Sequence, residues 1–314
     1  MNPEAYQTVN GVPVLTVCSE ENVRSAMQYK PHASDILLVT YPKCGTTWTQ
    51  YILCNILTKG NTPVGPAEYA LFSPFLDMMG AEATRNPDRK GPLMTHLPLK
   101  NIVFSKEAKY VYVTRNPYDC CVSCYHFLRH APVKTSRIVS FGEFVEHFIS
   151  GRINYGDFFD HLLPWYAIRD KPNVLFLTYE EMRRDTKKCV LKIADFLGEE
   201  HGSLLRKDND LLEKILNSSR LEKMREVFVH TPHDRINALS QLPPEKSCRS
   251  FATLQQDSLS DYVPQERSIF ARKGVVGDWK SHFGPEQIAT MKAWIDRKTK
   301  GTDVMNLWKD SYLP

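Results

Sequence analysis

One short loop combines a lysine, a glycine and two threonines directly after an apolar, β-branched run. The run covers residues 36–40, and the loop after it contains Lys43, Gly45, Thr46 and Thr47. Apolar residues then recur at three- and four-residue spacing, which predicts a helix that starts at Thr46 or Thr47. A strand that enters a helix through such a loop gathers backbone N–H groups, an ammonium and hydroxyls around one point. The loop therefore predicts a site for a phosphate or another tetrahedral anion.

The order of residues in this loop differs from the Walker A pattern of nucleoside-triphosphate enzymes. That pattern places its lysine after the second glycine, whereas Lys43 precedes Gly45 here. An ordinary strand–helix turn with a solvated lysine is the alternative interpretation. The long apolar strand and the two threonines favour the anion site.

An arginine follows a second apolar run. Residues 110–114 form this run, and Arg115 comes directly after it. Asn116 suits an N-cap, Pro117 the first helical position and Asp119 the first turn, so a helix is predicted to start there. Open α/β sheets bind ligands at the carboxyl ends of their strands, beside helix N-termini. Arg115 is therefore predicted to contact an anion.

Two more segments contain residues that could do chemistry. Arg272 and Lys273 precede Gly274, and a glycine there permits close approach of the backbone, so these residues predict a second anion clamp. His96 lies in a short segment that Pro98 closes. On its own, such a histidine is typical of a hydrogen-bonded, half-buried imidazole.

Strands and helices must alternate along the chain to position these residues. A third apolar run covers residues 173–179, and helical patterns follow the runs. The alternation predicts an α/β fold, a single domain over residues 1–314 with a central parallel sheet flanked by helices. Residues 230–265 are polar and turn-rich, which predicts a long mobile loop. Residues 61–92 mix apolar side chains with proline and glycine, as expected of a lid or pocket wall or of ordinary core packing.

Composition and charge argue against several classes of function. The chain has 314 residues and a formal net charge of +4, without a block of basic residues, so nucleic-acid binding is not expected. It has no run of about 18 apolar residues, so we expect a cytoplasmic protein that does not bind membranes. The eight cysteines are scattered, several within apolar patterns, which predicts reduced, buried thiols and no metal site.

The loop at residues 41–48 resembles the phosphosulfate-binding loop of the cytosolic sulfotransferases. It reads Tyr-Pro-Lys-Cys-Gly-Thr-Thr-Trp, and the family usually has serine at the position of the cysteine. The resemblance implies a P-loop-like element that binds 3'-phosphoadenosine 5'-phosphosulfate (PAPS), with a lysine that stabilises the departing phosphate and a tryptophan that stacks on adenine. The donor-binding residues implied at this loop are Lys43, Cys44, Gly45, Thr46, Thr47 and Trp48.

Four later segments match the same family in order. Arg-Asn-Pro-x-Asp with a following serine resembles its 3'-phosphate element, and Tyr-Glu-Glu-Met and Ser-x-Leu resemble its adenine-side segments. Arg-Lys-Gly-x-x-Gly-Asp-Trp resembles its second phosphate segment. The further donor-binding residues that the resemblance implies are Arg115, Ser123, Tyr179, Ser219, Leu221, Phe270, Arg272, Lys273 and Gly274.

Thr-His-Leu-Pro, which contains His96, resembles the family segment that supplies the catalytic base. The resemblance implies that His96 takes a proton from an acceptor hydroxyl or amine. The family commonly has lysine where Met94 stands, so charge stabilisation there is expected to be weaker or supplied differently. An apolar pocket for a small phenolic or otherwise hydroxylated acceptor is expected from Phe72, Phe75, Phe127 and Tyr155.

The implied reaction is in-line transfer of a sulfuryl group without a metal, leaving adenosine 3',5'-bisphosphate. Two alternatives remain open, a P-loop-type kinase of small molecules or nucleotides and an inactive nucleotide-binding relative. Many family members form dimers through Lys-x-x-x-Thr-Val-x-x-x-Glu, and the Thr-Val pair and the glutamate are missing after Lys280. A monomer, or a dimer through another surface, is therefore expected.

Overall fold

Parallel strands form the centre of the fold. The computed structural model describes residues 5–63, 65–129, 140–228, 232–243 and 272–314. A hairpin of β1 (Tyr6–Val9) and β2 (Val12–Leu15) comes first. The strands of the central sheet are β3 (Ile36–Thr40), β4 (Leu93–Thr95), β5 (Lys109–Thr114) and β6 (Val174–Thr178). Their spatial order is β4-β3-β5-β6 and every neighbouring pair is parallel, which confirms the predicted sheet.

Helices connect and flank the strands. Amphipathic patterns and caps explain several of them: Ser19 caps the first helix by accepting from the Asn22 amide, and Asn116 accepts from the Asp119 amide at the start of the fifth. The helices of the described residues are α1 (Glu20–Gln28), α2 (Thr46–Leu57), α3 (Pro66–Phe72), α4 (Leu76–Met79), α5 (Pro117–Arg129), α6 (Phe141–Ile149), α7 (Phe158–Ala167), α8 (Tyr179–Arg184), α9 (Thr186–Leu197), α10 (Glu199–Lys207), α11 (Asn209–Ser218), α12 (Leu221–Val227), α13 (Pro232–Ser240) and α14 (Pro285–Thr299). Short 3₁₀ turns cover Ala81–Arg85, Leu99–Asn101, Asp278–Ser281 and Val304–Ser311.

The strand order determines where a ligand can bind. The chain leaves β3 for β4 on one side and then returns to β5 on the other side of β3. Such a reversal opens a crevice at the carboxyl ends of the two strands that it separates. The crevice lies between the loop after β3 and Arg115 after β5, where the sequence predicts anion contacts.

The apolar core is divided between the two faces of the sheet. Successive strand residues point to opposite faces, so Leu37 and Tyr110 pack with one cluster while Leu38 and Val111 pack with the other. The first cluster includes side chains of α5, α6, α7 and α14, and the second includes side chains of α2, α9 and α11. Both faces of the sheet are therefore covered, as expected of a parallel sheet.

Two expectations about loops need correction. Helix α13 lies within residues 230–265, so the prediction of a continuous loop there is wrong, and residues 230–231 and 244–265 lie outside the described residues. Residues 61–92 form α3, α4 and a 3₁₀ turn, which pack against the core and against α1. Phe75, in this segment, also contacts the ring of His96, so the pocket-wall interpretation stays a prediction for this residue while α3 and α4 pack in the core.

The expectations about membranes and thiols can be compared with the described residues. Within them, no helix combines the length and the apolar character needed to cross a bilayer. Their cysteines are all free and buried, which confirms the prediction of buried thiols for Cys18, Cys44, Cys54, Cys120, Cys121, Cys124 and Cys189. Cys248 lies outside the described residues.

Candidate functional site

Backbone strain shapes the loop between β3 and α2. Lys43 has a φ of 69° and Gly45 a φ of 103°, both in the left-handed region. A Cβ on Gly45 would lie 2.9 Å from Cδ2 of Tyr179, which is closer than such atoms pack. Glycine is therefore required at position 45, whereas Lys43 keeps its conformation against a penalty of about 1–2 kcal/mol. Strained residues cluster at ligand sites, so the strain at Lys43 supports a binding role for the loop.

Lys43 lies in a positive environment. Its side chain is half-buried, and Nζ lies 4.4 Å from the ring centroid of Phe127. Burial lowers the pKa of Lys43 to about 8, against an opposing effect of the Cys124 thiol, and the nearby Arg115 and Arg272 lower it further. The ammonium is still charged at pH 7, so three cations from distant parts of the chain act on one region.

One ring nitrogen of His96, Nδ1, is hydrogen-bonded to Thr40, and the other, Nε2, faces away from that residue. Nδ1 lies 2.8 Å from the carbonyl oxygen of Thr40 and 3.1 Å from the Thr40 hydroxyl. A carbonyl only accepts, so Nδ1 carries the proton and Nε2 presents a lone pair. Burial lowers the pKa of His96 to about 4, partly offset by the Thr40 carbonyl, and Lys43 lowers it further. The imidazole is therefore neutral at pH 7 and can accept a proton at Nε2.

The backbone of His96 is held as firmly as its ring. Its amide donates to Oδ2 of Asp77 at 2.8 Å, and its carbonyl accepts from Nε2 of His161 at 3.1 Å. His161 is fully buried, and its Nδ1 then accepts from the Tyr112 hydroxyl at 2.9 Å. Contacts from α4, α7 and β5 thus fix the position of His96.

Arg115 lies where the sequence predicts, at the carboxyl end of β5. It is 7% exposed, donates to the Val275 carbonyl at 2.9 Å and lies 3.8 Å from the Asp119 carboxylate. Its guanidinium carbon is 4.5 Å from the ring centroid of Tyr179. Its Nε is buried and has no hydrogen-bond partner among the described residues. A buried guanidinium N–H without a partner fits an anion that is held there when bound.

Two buried carboxylates join α5 to neighbouring segments. Asp119 accepts from the backbone amides of Gly277 at 2.7 Å and Trp279 at 3.0 Å. Glu180 accepts from the Asn116 amide at 2.9 Å and from Nε1 of Trp308, also at 2.9 Å. These bonds fix the start of α5, and with it Arg115, against residues 277–279 and α8.

The second clamp contains its own counterion. Arg272 and Lys273 both donate to the Asp278 carboxylate, with Lys273 at 2.8 Å. Burial alone raises the pKa of Asp278, but the hydrogen bonds and charges of these two cations lower it to about 2. A Cβ on Gly274, whose φ is 66°, would lie 3.0 Å from a methyl carbon of Leu221. The clamp is therefore an internal ion-pair group that packs against α12.

Aromatic side chains form a wall beside the first loop. The rings of Trp48 and Tyr179 meet edge to face with centroids 5.5 Å apart, and the Arg183 guanidinium lies 5.6 Å from the Trp48 ring. Trp48 also donates from Nε1 to the Ser219 carbonyl at 2.9 Å. The wall brings together Trp48 and Tyr179, two of the side chains that the resemblance assigns to the adenine side.

Three of the four expected pocket residues surround the histidine and the lysine. The rings of Phe75 and Tyr155 both meet the His96 ring edge to face, with their centroids 5.1 and 5.2 Å from its centroid. Phe127 lies under Nζ of Lys43. Phe72 does not join them, because it packs in the core cluster on the other face of the sheet. The sequence pattern gives no indication of which face a residue at the end of α3 meets.

Other expected site residues have contacts of different kinds. The Cys44 thiol points into the core, 3.7 Å from the Cys120 sulfur, so it is the backbone of residue 44 that could face a ligand. The Ser219 hydroxyl donates to the Ile215 carbonyl at 2.7 Å, at the C-terminus of α11. Thr46 shares a 2.6 Å hydrogen bond with Thr40, whereas Thr47 and Ser123 are half-buried. Phe270 lies outside the described residues.

Several supporting residues escape prediction from sequence. Thr40 orients the imidazole, Asp77 holds the His96 amide and Asp278 pairs with the second clamp. Asp278 sits within a matched segment, so its proximity to Arg272 and Lys273 was a usable signal. Asp77 lies 19 residues from His96, and nothing in the sequence connects the two.

Comparison with known proteins shows the family of this chain. The chain belongs to the sulfotransferase family, because the family profile described as the sulfotransferase domain matches residues 33–303. It is 30% identical over 308 residues to sulfotransferase 1C2 of Rattus norvegicus, covering 94% of this chain and 93% of that protein. It is 31% identical over 281 residues to sulfotransferase 2A1 of the same species, covering 85% of each chain.

A solved structure extends the likeness to three dimensions. The chain matches the crystal structure of mouse sulfotransferase SULT7A1 complexed with PAP, with a TM-score of 0.71 and 26% identity. The match covers 98% of each chain. In the described part of this chain, no group of three or more histidine, cysteine, aspartate or glutamate side chains is arranged to hold a metal ion.

Proposed function

We propose that this protein transfers a sulfuryl group from PAPS to a hydroxyl or amine of a small, phenolic acceptor. The observation that carries the proposal is the convergence of Lys43, Arg115 and Arg272 on one region beside a neutral His96. Sulfuryl transfer, like phosphoryl transfer, depends mainly on positioning and on stabilising charge. The convergent cations supply the positive field, and the imidazole supplies the base.

The residues present fit the two phosphate groups of the donor. Gly45 leaves space at the first loop that a Cβ would fill against Tyr179, and Arg115 has a buried N–H without a partner at the second position. The backbone of residues 45–48 would hold the 5'-phosphate at the N-terminus of α2. Arg115 would hold the 3'-phosphate, together with Ser123 and the clamp at Arg272 and Lys273. When bound, PAPS supplies the sulfuryl group and a phosphate leaving group.

The chemistry of the chain itself then has two parts. Nε2 of His96 accepts the proton of the acceptor hydroxyl as that oxygen attacks, since Nδ1 is already occupied by the Thr40 carbonyl. The Lys43 ammonium stabilises the negative charge that develops on the leaving phosphate. Met94 adds no charge, so Lys43 carries this task without the second lysine of its relatives' usual pattern.

The proposed acceptor class follows from the walls around the base. Phe75, Tyr155 and Phe127 are aromatic, and none of these three side chains carries a charge. Aromatic walls favour flat apolar bodies, and the histidine selects a group that can lose a proton. A phenol satisfies both conditions. We also propose that the chain acts as a monomer, or as a dimer through a surface other than the usual one.

The second candidate function is phosphoryl transfer by a P-loop-type kinase, and the third is nucleotide binding without chemistry. A kinase needs a continuous triphosphate cradle and a metal-holding carboxylate. The loop here has the lysine before the glycine, and Cys44 and Met94 are the departures that favour an inactive relative.

One experiment separates the three candidates. Purified protein is incubated with sulfur-labelled PAPS and a panel of phenols, monoamines, sterols and aliphatic alcohols, and in parallel with ATP and magnesium. The proposal expects labelled sulfate esters from phenols and no hydrolysis of ATP. Magnesium-dependent phosphoryl transfer would establish the kinase instead. Binding of adenosine 3',5'-bisphosphate with no labelled product would establish the inactive relative.

A further inference from the structure

A buried carboxylate lies directly behind the proposed base. Asp77, in α4, is fully buried, and its two oxygens are divided between neighbouring residues. Oδ2 accepts from the His96 amide at 2.8 Å, and Oδ1 accepts from the Thr95 hydroxyl at 2.6 Å. Both donors are neutral. An ionised carboxylate suits these two donors, because both of its oxygens accept hydrogen bonds and neither donates.

The same contacts would weaken if the carboxylate took up a proton. A proton on Oδ2 would face the His96 amide, which is itself a donor, whereas a proton on Oδ1 would leave Oδ2 as a neutral carbonyl oxygen, which accepts a weaker hydrogen bond than an ionised carboxylate does. The bond that joins the His96 amide to α4 would then weaken or break, while the ring kept its bond to Thr40. Three contacts set the position of His96, namely Asp77 at its amide, His161 at its carbonyl and Thr40 at its ring, and loosening the first of them allows Nε2 to move. A displacement of about 1 Å can slow an in-line transfer by roughly 100-fold.

We infer that Asp77 is a positioning residue for transfer, whose ionised carboxylate holds His96 in place and whose protonation turns the enzyme off. This inference rests on the proposed function, in which His96 is the base. It goes beyond that function by assigning pH control of the reaction to a residue that does not touch the substrates.

The titration of the neighbouring groups supports the same assignment. Burial raises the pKa of Asp77 to about 6, although the Thr95 and Tyr155 side chains and the His96 amide lower it. The titratable side chains that act on it are Cys18, from the segment before α1, and Tyr155, from the loop before α7. Burial raises the pKa of both, so both stay neutral from pH 5 to pH 8. Helix α1 packs on α4 through Asn22, which does not titrate.

The base itself titrates in a different range. His96 has a pKa of about 4, because burial disfavours its charged form. Control by the base alone therefore predicts an acid limb of kcat near pH 4, and control by Asp77 predicts one near pH 6. The two limbs are far enough apart to be distinguished.

The test compares Asp77→Asn with a matched control, Asp35→Asn. Asp35 is also fully buried and accepts from the Tyr29 hydroxyl at 2.6 Å and from the His32 amide at 2.7 Å. It also pairs with Arg89 at 3.0 Å, so its replacement disturbs the fold at least as much as that of Asp77. It precedes β3 and so lies at the opposite edge of the sheet from the site. For Asp77→Asn we expect kcat to fall about 10- to 100-fold and to lose its limb near pH 6, with KM and bisphosphate affinity unchanged. Asp35→Asn should keep the kcat and the pH profile of the wild type.

Two results would overturn the inference. One is an Asp77→Asn variant that retains the wild-type kcat and acid limb. The other needs no variant: wild-type kcat that stays constant from pH 8 to pH 5 would overturn it even if Asp77→Asn did not fold. His96→Ala is measured alongside, and full activity in that variant would instead refute the base assignment on which the proposed function depends.

Discussion

Arg115 is the residue through which the two-phosphate site can be tested most directly. Its guanidinium is almost wholly buried, and one N–H lacks a partner among the described residues. A charge-assisted hydrogen bond contributes about 1.5–3 kcal/mol, equivalent to roughly 10- to 150-fold in Kd. Arg115→Ala should therefore weaken binding of adenosine 3',5'-bisphosphate by about this factor. Binding of AMP, which lacks the 3'-phosphate, should change little.

The variant is expected to fold, because the partners of Arg115 have other contacts. Asp119 keeps its bonds from the Gly277 and Trp279 amides, and Tyr179 keeps its contact with Trp48. Arg206→Ala is the matched control, because it also removes an arginine from an ion pair, that with the exposed Asp195 on α9. The control should bind both nucleotides as the wild type does.

Isothermal calorimetry without magnesium measures the affinities of the wild type and of Arg115→Ala for adenosine 3',5'-bisphosphate and for AMP. The wild type should prefer the bisphosphate over AMP by at least about 100-fold, because several charge-assisted contacts converge on the 3'-phosphate. Arg115→Ala should lose most of this preference. Equal wild-type affinities would refute the 3'-site, and with it the assignment of PAPS as donor. A variant that keeps the full preference would remove Arg115 from the site.

Four further outcomes are expected. His96→Ala should lower transfer by about 10²–10⁴-fold, as steady-state rates would show, while calorimetry shows unchanged bisphosphate binding. Lys43→Met should slow transfer strongly, whereas Lys43→Arg should retain part of the wild-type rate. Because the pKa of Lys43 is lowered to about 8, wild-type kcat/KM should also fall as the pH rises through 8 and the ammonium loses its proton. Gly45→Ala should lower the melting temperature and weaken bisphosphate binding more than Gly277→Ala, since both glycines have positive φ but only Gly45 has a ring within 4 Å of the added Cβ; equal effects would contradict the role of Tyr179. Light scattering should give either the 36.1 kDa of one chain or a dimer that Lys280→Glu leaves intact, and a dimer that Lys280→Glu disrupts would contradict this. Phe283 is unsuitable as an interface probe, because it packs against Tyr118 and Trp279.

The parts of the fold that depend on local pattern could be predicted from the sequence. Apolar runs located β3, β5 and β6 to within a residue, because both faces of a parallel sheet demand apolar side chains. Asn116, Pro117 and Asp119 located the start of α5, because capping is a local interaction. Helix α13 was missed, since its polar sequence carries no sustained apolar period.

Contacts between distant segments could not be predicted in the same way. Phe72 and Phe75 are three residues apart, yet they pack on opposite faces of the sheet, and only the geometry of α3 and α4 decides this. The hold of Asp77 on His96 likewise depends on how α4 docks beside β4. The resemblance to a family supplied the proposed role of His96, which its residue type alone leaves open.

The bond from Arg115 to the Val275 carbonyl joins positions 160 residues apart in the chain. Together with the loop at residues 41–48, the site therefore brings together three segments that lie far apart in the unfolded chain. A nucleotide bound there acts as a noncovalent cross-link, present in the folded state and lost on unfolding. At a concentration about 100 times its Kd, such a ligand adds about 2.7 kcal/mol to the free energy of unfolding. Resistance to heat and to proteases should therefore rise with the concentration of nucleotide around the protein.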